Sequence, residues 1–543
     1  MLLAALATAG RVAAGAAPTH VGGATCAECH AQESALWKTS HHAQAMLAPN
    51  AETVRGNFAD ATFVKDGVTS TFFRRDGGYF VRTDGPDGRL HDYRVAYTFG
   101  IDPLQQYLIE MPGGRLQALG IAWDTRPAAQ GGQRWFHLYP NEPLAAPDSL
   151  HWTGAQQNWN FMCADCHSTN LHKGYRAADD RFATTWSEVN VACEACHGPG
   201  AAHVAWARAG AAAGDPLRGF AFALGDRSGG AWRFAAGQSI ARRTAPRSTD
   251  LEVETCGRCH ARAARLRDDY VHGRPLADTH RVALLDPGLY HADGQIEDEV
   301  YEYGSFLQSP MHAAGVTCSD CHEPHSGRLR AEGNLLCGRC HLPATFDTAA
   351  HTHHGAGSAA AQCVSCHMPE RTYMLIDGRR DHSFRVPRPD LSVRLGTPNA
   401  CTDCHTDRSA QWAADAAAGW YGPARAARWH YAEALAAGRA QQADAETQLL
   451  RAIGDAQVPA IARASALELL ASSLSPRALP ALQAAARDPD PLVRRAAAQT
   501  AGALPPAERL GVALPLLSDP VRTVRLEALG SLLDAPGAGL TPE

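Results

Sequence analysis

Cys26-Ala-Glu-Cys29-His30, Cys163-Ala-Asp-Cys166-His167, Cys193-Glu-Ala-Cys196-His197 and Cys256-Gly-Arg-Cys259-His260 are four of the stretches that decide how this chain is read. Four more follow: Cys318-Ser-Asp-Cys321-His322, Cys337-Gly-Arg-Cys340-His341, Cys363-Val-Ser-Cys366-His367 and Cys401-Thr-Asp-Cys404-His405. All sixteen Cys fall in these eight C-x-x-C-H units, with none left over. This spacing is the attachment signature of c-type haem. Each thiol adds to one vinyl group, two spacer residues match the vinyl separation on one helical turn, and the adjacent His supplies the iron's axial nitrogen. Zinc and redox C-x-x-C sites need no His after every second Cys. With 26 His in 543 residues, eight coincidental placements are negligible. We number the motifs 1 to 8 along the chain and expect eight covalent haem c groups.

Composition allows a chain of about three domains, with 45% hydrophobic residues and a formal charge of −6. No basic run points to nucleic acid, and no apolar stretch is long enough to span a membrane. The start, MLLAALATAGRVAAGAAPTH, carries a short apolar run and an Ala14-Gly15-Ala16 cleavage-like signal, so residues 1–17 read as a signal peptide. No basic residue precedes that run, and the last helical repeat stops without a polar cap helix. The chain is therefore expected to be truncated at its ends. Covalent haem attachment implies a periplasmic or otherwise extracytoplasmic setting.

The eight motif histidines, His30, His167, His197, His260, His322, His341, His367 and His405, are the expected proximal ligands, leaving eighteen others. An electron-transfer haem usually takes a second axial ligand from the protein. His42, His203, His272, His291, His312, His325, His354 and His382 are the distal candidates by their proximity to motifs or to the haem-free stretch before motif 5. His351 and His353 cluster with His354, and His41 and His280 lie in similar contexts. His20, His91, His137, His151 and His430 read as structural.

The expected fold is mainly α. A haem 1 segment (18–50) leads into a β-rich insert (51–150). A multihaem cytochrome c domain of short helices and loops carries motifs 2–8 (151–411), and an α-solenoid closes the chain (412–543). Val64 to Tyr97 alternates apolar and polar residues around Asp66-Gly67, Asp76-Gly77-Gly78 and Asp84-Gly85-Pro86-Asp87-Gly88, which predicts antiparallel hairpins. The insert is read as a structural cover ahead of a partner or substrate face. In the solenoid, Arg463, Arg494 and Arg525 recur every 31 residues, as do Ala466, Ala497 and Ala528, a HEAT-like period. Such arrays usually bind protein, although this one could simply pack on the haem domain.

CAECHAQESALWKTSHHAQAM, YTFGIDPLQQYL, NWNFMCADCHSTNL, GVTCSDCHEPHSG and RRDHSFRVPRPDLS, among other stretches, resemble exported multihaem cytochromes. These combine a cytochrome c-552/c-554-type domain with HEAT or tetratricopeptide repeats. The resemblance implies mostly bis-His haems, with His42, His312 and His382 as distal ligands. No C-x-x-C-K motif is present, so the lysine-ligated haem of pentahaem nitrite reductases is absent. The expected function is electron carriage between redox protein partners, with docking on the solenoid a possibility to test. The alternative is an oxidoreductase acting on a small nitrogen or sulfur compound (nitrite, hydroxylamine or tetrathionate) at one open haem. Tyr301, Tyr303 and His291 are the conceivable proton donors for it.

Overall fold

A computed structural model describes residues 19–210 and 214–533 of the 543-residue chain. The expected signal peptide lies outside the described residues. Strands β1 (Met46–Leu47), β2 (Ala61–Lys65), β3 (Val68–Arg75), β4 (Gly78–Asp84), β5 (Leu90–Phe99), β6 (Leu104–Met111), β7 (Arg115–Ala118), β8 (Ile121–Asp124) and β9 (Arg134–His137) form one sheet. The order is β2-β3-β4-β5-β6-β8-β9, with β1 on β5 and β7 on β6. The Asp-Gly turns close the first hairpins: Asp66 and Gly67 have φ of 50° and 81°, and Asp76 and Gly77 of 50° and 75°. Those left-handed pairs suit tight hairpins and favour Gly at the second position. The sheet curls until β9 approaches β2, and Phe72 stacks on Trp135 at 3.6 Å.

β6 is buried on both faces, and its alternation sorts two cores. Tyr107 and Ile109 point into the curled sheet with Phe58, Phe72, Tyr79, Val81, Trp123 and Trp135. Leu108 points the other way, joining Phe99, Leu116, Trp159, Ala164 and Leu171. Trp159 and Ala164 belong to the segment that carries motif 2, so the sheet is the wall on which that motif is seated.

The mainly α expectation holds for the C-terminal array and is corrected before it. Helices around the motifs are mostly four to ten residues long, for example Cys193–His197, Cys363–His367 and Leu251–His260. Four small hairpins add further strand: Tyr175–Arg176 with Arg181–Phe182, Trp232–Arg233 with Arg242–Arg243, Ala263–Arg265 with His280–Val282, and Glu370–Tyr373 with Asp377–Arg380.

The array runs through Tyr431–Arg439, Ala445–Gly454, Ala460–Leu470, Leu479–Ala485, Pro491–Ala501, Pro506–Ala513 and Arg522–Leu532. Its 31-residue period has a physical cause. Arg463 pairs with Asp488, and Arg494 pairs with Asp519 at 2.6 Å, so each repeat's Arg holds the Asp that opens the next. The array shares one core with the haem region. Leu276, Val282, Leu284, Leu285, Tyr290, Ile296 and Val300 are buried together with Leu435, Leu449, Ile461, Leu467 and Val493. Polar ties close the seam. Arg495, 2% exposed, donates to the Val282 carbonyl at 2.7 Å. Arg439 donates to the carbonyls of Tyr290 and Leu285 at 2.9 and 2.6 Å, and Arg281 meets Glu527 at 2.7 Å. Between the two roles weighed for the array, packing on the haem domain is what this face does.

Candidate haem-binding centre

The motifs sit on short helices or turns, and at three of them a local side chain fixes the start. Asn158 accepts the Phe161 amide at 3.1 Å ahead of motif 2. Thr317 and Asp320 form a reciprocal capping box at motif 5, and Asn399 accepts the Thr402 amide at 3.1 Å at motif 8. Such caps offset orphan amides that a four- or five-residue helix cannot satisfy itself. All sixteen thiols are free of disulfides.

Five motif histidines face a second imidazole. Ring centres lie 6.1 Å apart for His30 and His203, and 6.3 Å for His197 and His325. The separations are 6.3 Å for His260 and His42, 6.2 Å for His367 and His351, and 6.1 Å for His405 and His354. Two imidazoles binding one metal from opposite sides stand roughly 6 Å apart, because each adds a bond of about 2 Å and about half a ring. Among the described residues no three His, Cys, Asp or Glu side chains converge as a closed metal cage would require. The donor set fits haem held by two thioethers and two axial imidazoles.

The remaining ring nitrogens are occupied in a consistent way. Nδ1 of His167, His367, His203, His354 and His382 lies 2.8, 2.8, 2.8, 2.6 and 2.9 Å from the carbonyls of Ala45, Arg385, Arg218, Thr352 and Arg380. That leaves Nε2 of each free to coordinate. Burial, followed by the neighbouring His260 and His41, pushes His42 down to about 4. It is therefore held as neutral imidazole, the form that binds metal.

The other candidates are not in ring contact with a motif histidine. His382 is an electrostatic neighbour of His322 but not in ring contact with it. His312 packs edge-on against Phe306 at 5.2 Å, near Asp250 and Asp490. His272 leans on Gly198, and its Nε2 lies 3.1 Å from the Ala195 carbonyl and 3.2 Å from Arg258. His291 sits among Glu297, Asp293 and Arg371. The sequence does not single out His351 from the 351–354 cluster. It faces His367, while His354 faces His405 and His353 stacks on Trp420 at 3.8 Å. Among the described residues, His167, His322 and His341 have no imidazole in ring contact; Phe99 meets His167 edge-on at 5.5 Å.

Thiols of different motifs meet. Cys26 neighbours Cys193, Cys166 neighbours Cys259, Cys256 neighbours Cys318, and Cys337 neighbours Cys363. Cys196 is within electrostatic reach of Cys259, Cys321 of Cys340, and Cys366 of Cys404. The motifs thus run 1–3–4–5–6–7–8 in space, with motif 2 attached at motif 4.

Three family models match parts of the chain: cytochrome c554 and c-prime over residues 25–65 and 142–198, the doubled CXXCH motif over 310–346, and HEAT repeats over 448–533. No curated protein matches the sequence. The solved outer cell wall cytochrome OcwA is similar at 18% identity and a TM-score of 0.49, over 84% of this chain and 99% of that one. With the attachment motifs, the paired imidazoles and the three family models together, the chain is a multihaem c-type cytochrome carrying cytochrome c554-type segments and C-terminal HEAT repeats.

Proposed function

We propose that the chain carries eight haem c groups and relays electrons between extracytoplasmic redox partners. The observation that supports this best is the contiguity of the motifs: each has a thiol against, or within electrostatic reach of, a thiol of another. Bound haem supplies a one-electron iron couple. The chain's own contribution is to fix spacing through the Cys pairs and to hold axial imidazoles at both faces. In this reading His203, His325, His42, His351 and His354 serve motifs 1, 3, 4, 7 and 8, and His382 serves motif 5. Sequence neighbourhood misleads here, because His203 follows motif 3 yet faces motif 1. Low-temperature EPR of the oxidised protein should be dominated by low-spin ferric signals. A spectrum dominated by high-spin iron would sink the relay reading.

A second reading rests on His167. It has no opposing imidazole among the described residues, and Tyr301 and Lys173 stand near Cys166. A small nitrogen or sulfur compound could be taken at motif 2. Tyr303 packs over Gly257 of motif 4, and the charges that reach His291 include none from motif 2, so Tyr301 is the proton donor best placed for that chemistry. Carbon monoxide added to the reduced protein should then shift a haem signal that is lost when Cys163 and Cys166 are replaced by Ala. No shift would remove this reading and leave the relay intact.

A further inference from the structure

Among the proximal histidines whose ring hydrogen bonds are seen, one differs in kind. His167, His367 and His322 lie 2.8, 2.8 and 3.4 Å from backbone carbonyls. His260 of motif 4 instead donates Nδ1–H to Oε2 of Glu302 at 2.8 Å. On its other side His260 faces His42.

The motif so treated is the junction of the array. Cys259 meets Cys166 of motif 2 and reaches Cys196 of motif 3, and Cys256 meets Cys318 of motif 5. No other motif has thiols beside three others.

Glu302 is aimed by its backbone. Tyr301 before it holds φ at 60°, a left-handed turn, and Glu302 then begins the helix Tyr303–Phe306, its carbonyl accepting the Phe306 amide at 2.8 Å. The other groups whose charge reaches Glu302 are His382, read above as an axial ligand, and Arg379, which is already paired with Glu299 at 2.5 Å and Asp377 at 2.7 Å. The Glu302 charge is therefore left for the imidazole. A comparable contact joins His325 to Glu323 at 3.1 Å, but Glu323 also accepts the amides of Ser326 at 2.7 Å and His325 at 3.3 Å. Its charge is shared before it reaches the ring.

An imidazole whose N–H is given to a carboxylate is a stronger donor than one bonded to a neutral carbonyl. Stronger donation favours ferric over ferrous iron and lowers the reduction potential. We propose that Glu302 is a positioning residue that holds the motif 4 iron at a lower potential than a backbone carbonyl would, so that the junction passes electrons on to its three neighbours. This rests on the reading of His260 as a haem ligand.

The test is a spectroelectrochemical titration of the full-length holoprotein and its Glu302→Gln variant, with haem content measured on the same samples. One haem equivalent should move to more positive potential in the variant at unchanged haem content, and Glu323→Gln should shift its own step less. Superimposable titrations at equal haem content would overturn the proposal. Haem missing from motif 4 in the unaltered protein would instead overturn the ligand reading beneath it. Should Glu302→Gln fail to mature, Glu302→Asp carries the same test, since the shorter arm cannot keep the 2.8 Å contact in place. A wild-type potential in that variant would equally refute the role.

Discussion

Removing the HEAT array by ending the chain at residue 411 should abolish the folded cytochrome rather than release an independent module. The cut would expose Leu276, Val282, Leu284, Leu285, Tyr290, Ile296 and Val300, none more than 5% exposed in the intact chain. Burying a large apolar side chain is worth about 1.5–3 kcal/mol, so seven such residues amount to roughly 10–20 kcal/mol, an upper figure because unfolded chains bury some of this area. Whole domains are stable by only about 5–15 kcal/mol. The cut also frees the buried carbonyls of Val282, Leu285 and Tyr290, which now accept from Arg495 and Arg439. Each such bond from a charged donor, exchanged for water, costs about 1.5–3 kcal/mol more. The assay is expression of the truncated chain with measurement of soluble yield, haem content and thermal unfolding. Little soluble holoprotein is expected. A soluble truncated chain with full haem content and an unchanged unfolding temperature would refute the shared core, and would return the array to the role of a separable docking module.

Gly56→Ala should destabilise the sheet by about 1–3 kcal/mol, seen as a lower unfolding temperature, because the added Cβ would lie 2.6 Å from both the Trp135 ring and the Tyr107 hydroxyl. His137 is pushed down to about 4 by burial, with the Lys65 charge acting in the same direction. Its folded value lies below the ordinary 6.5, so the unfolded chain binds the extra proton first. Stability is then fully present above about pH 6.5 and falls, by up to about 3 kcal/mol, as the pH drops towards 4. Thermal unfolding followed against pH should show this limb, and His137→Phe should flatten it. His42→Ala should create one high-spin ferric haem by EPR, and that signal should disappear when Cys256 and Cys259 are also replaced by Ala. Its persistence would remove His42 from motif 4.

The cofactor was legible because its signal is local: five consecutive residues state both thiols and the proximal imidazole. The β hairpins were legible for the same reason, since Asp66-Gly67 and Asp76-Gly77 encode their turns in two residues each. The solenoid showed through its Arg period, and the structure adds why the period exists, an Arg-to-Asp tie handed from repeat to repeat. What could not be read is pairing across the fold. His42 and His260 face each other across more than two hundred residues, and His325, three residues past motif 5, turns to motif 3. No periodicity carries such a partner choice, which follows from how loops close around the motifs. The buried seam between the array and Leu276–Val300 escaped for a related reason. An Ala-rich amphipathic helix signals that it covers something, not what it covers.

The central claim is eight covalent haems on eight motifs, and the intact mass of the purified holoprotein tests it most directly. The expected value is the polypeptide mass plus eight haem groups, with no thiol left free to alkylate. A smaller whole number of haems, with alkylatable cysteines at the corresponding motif, would contradict it.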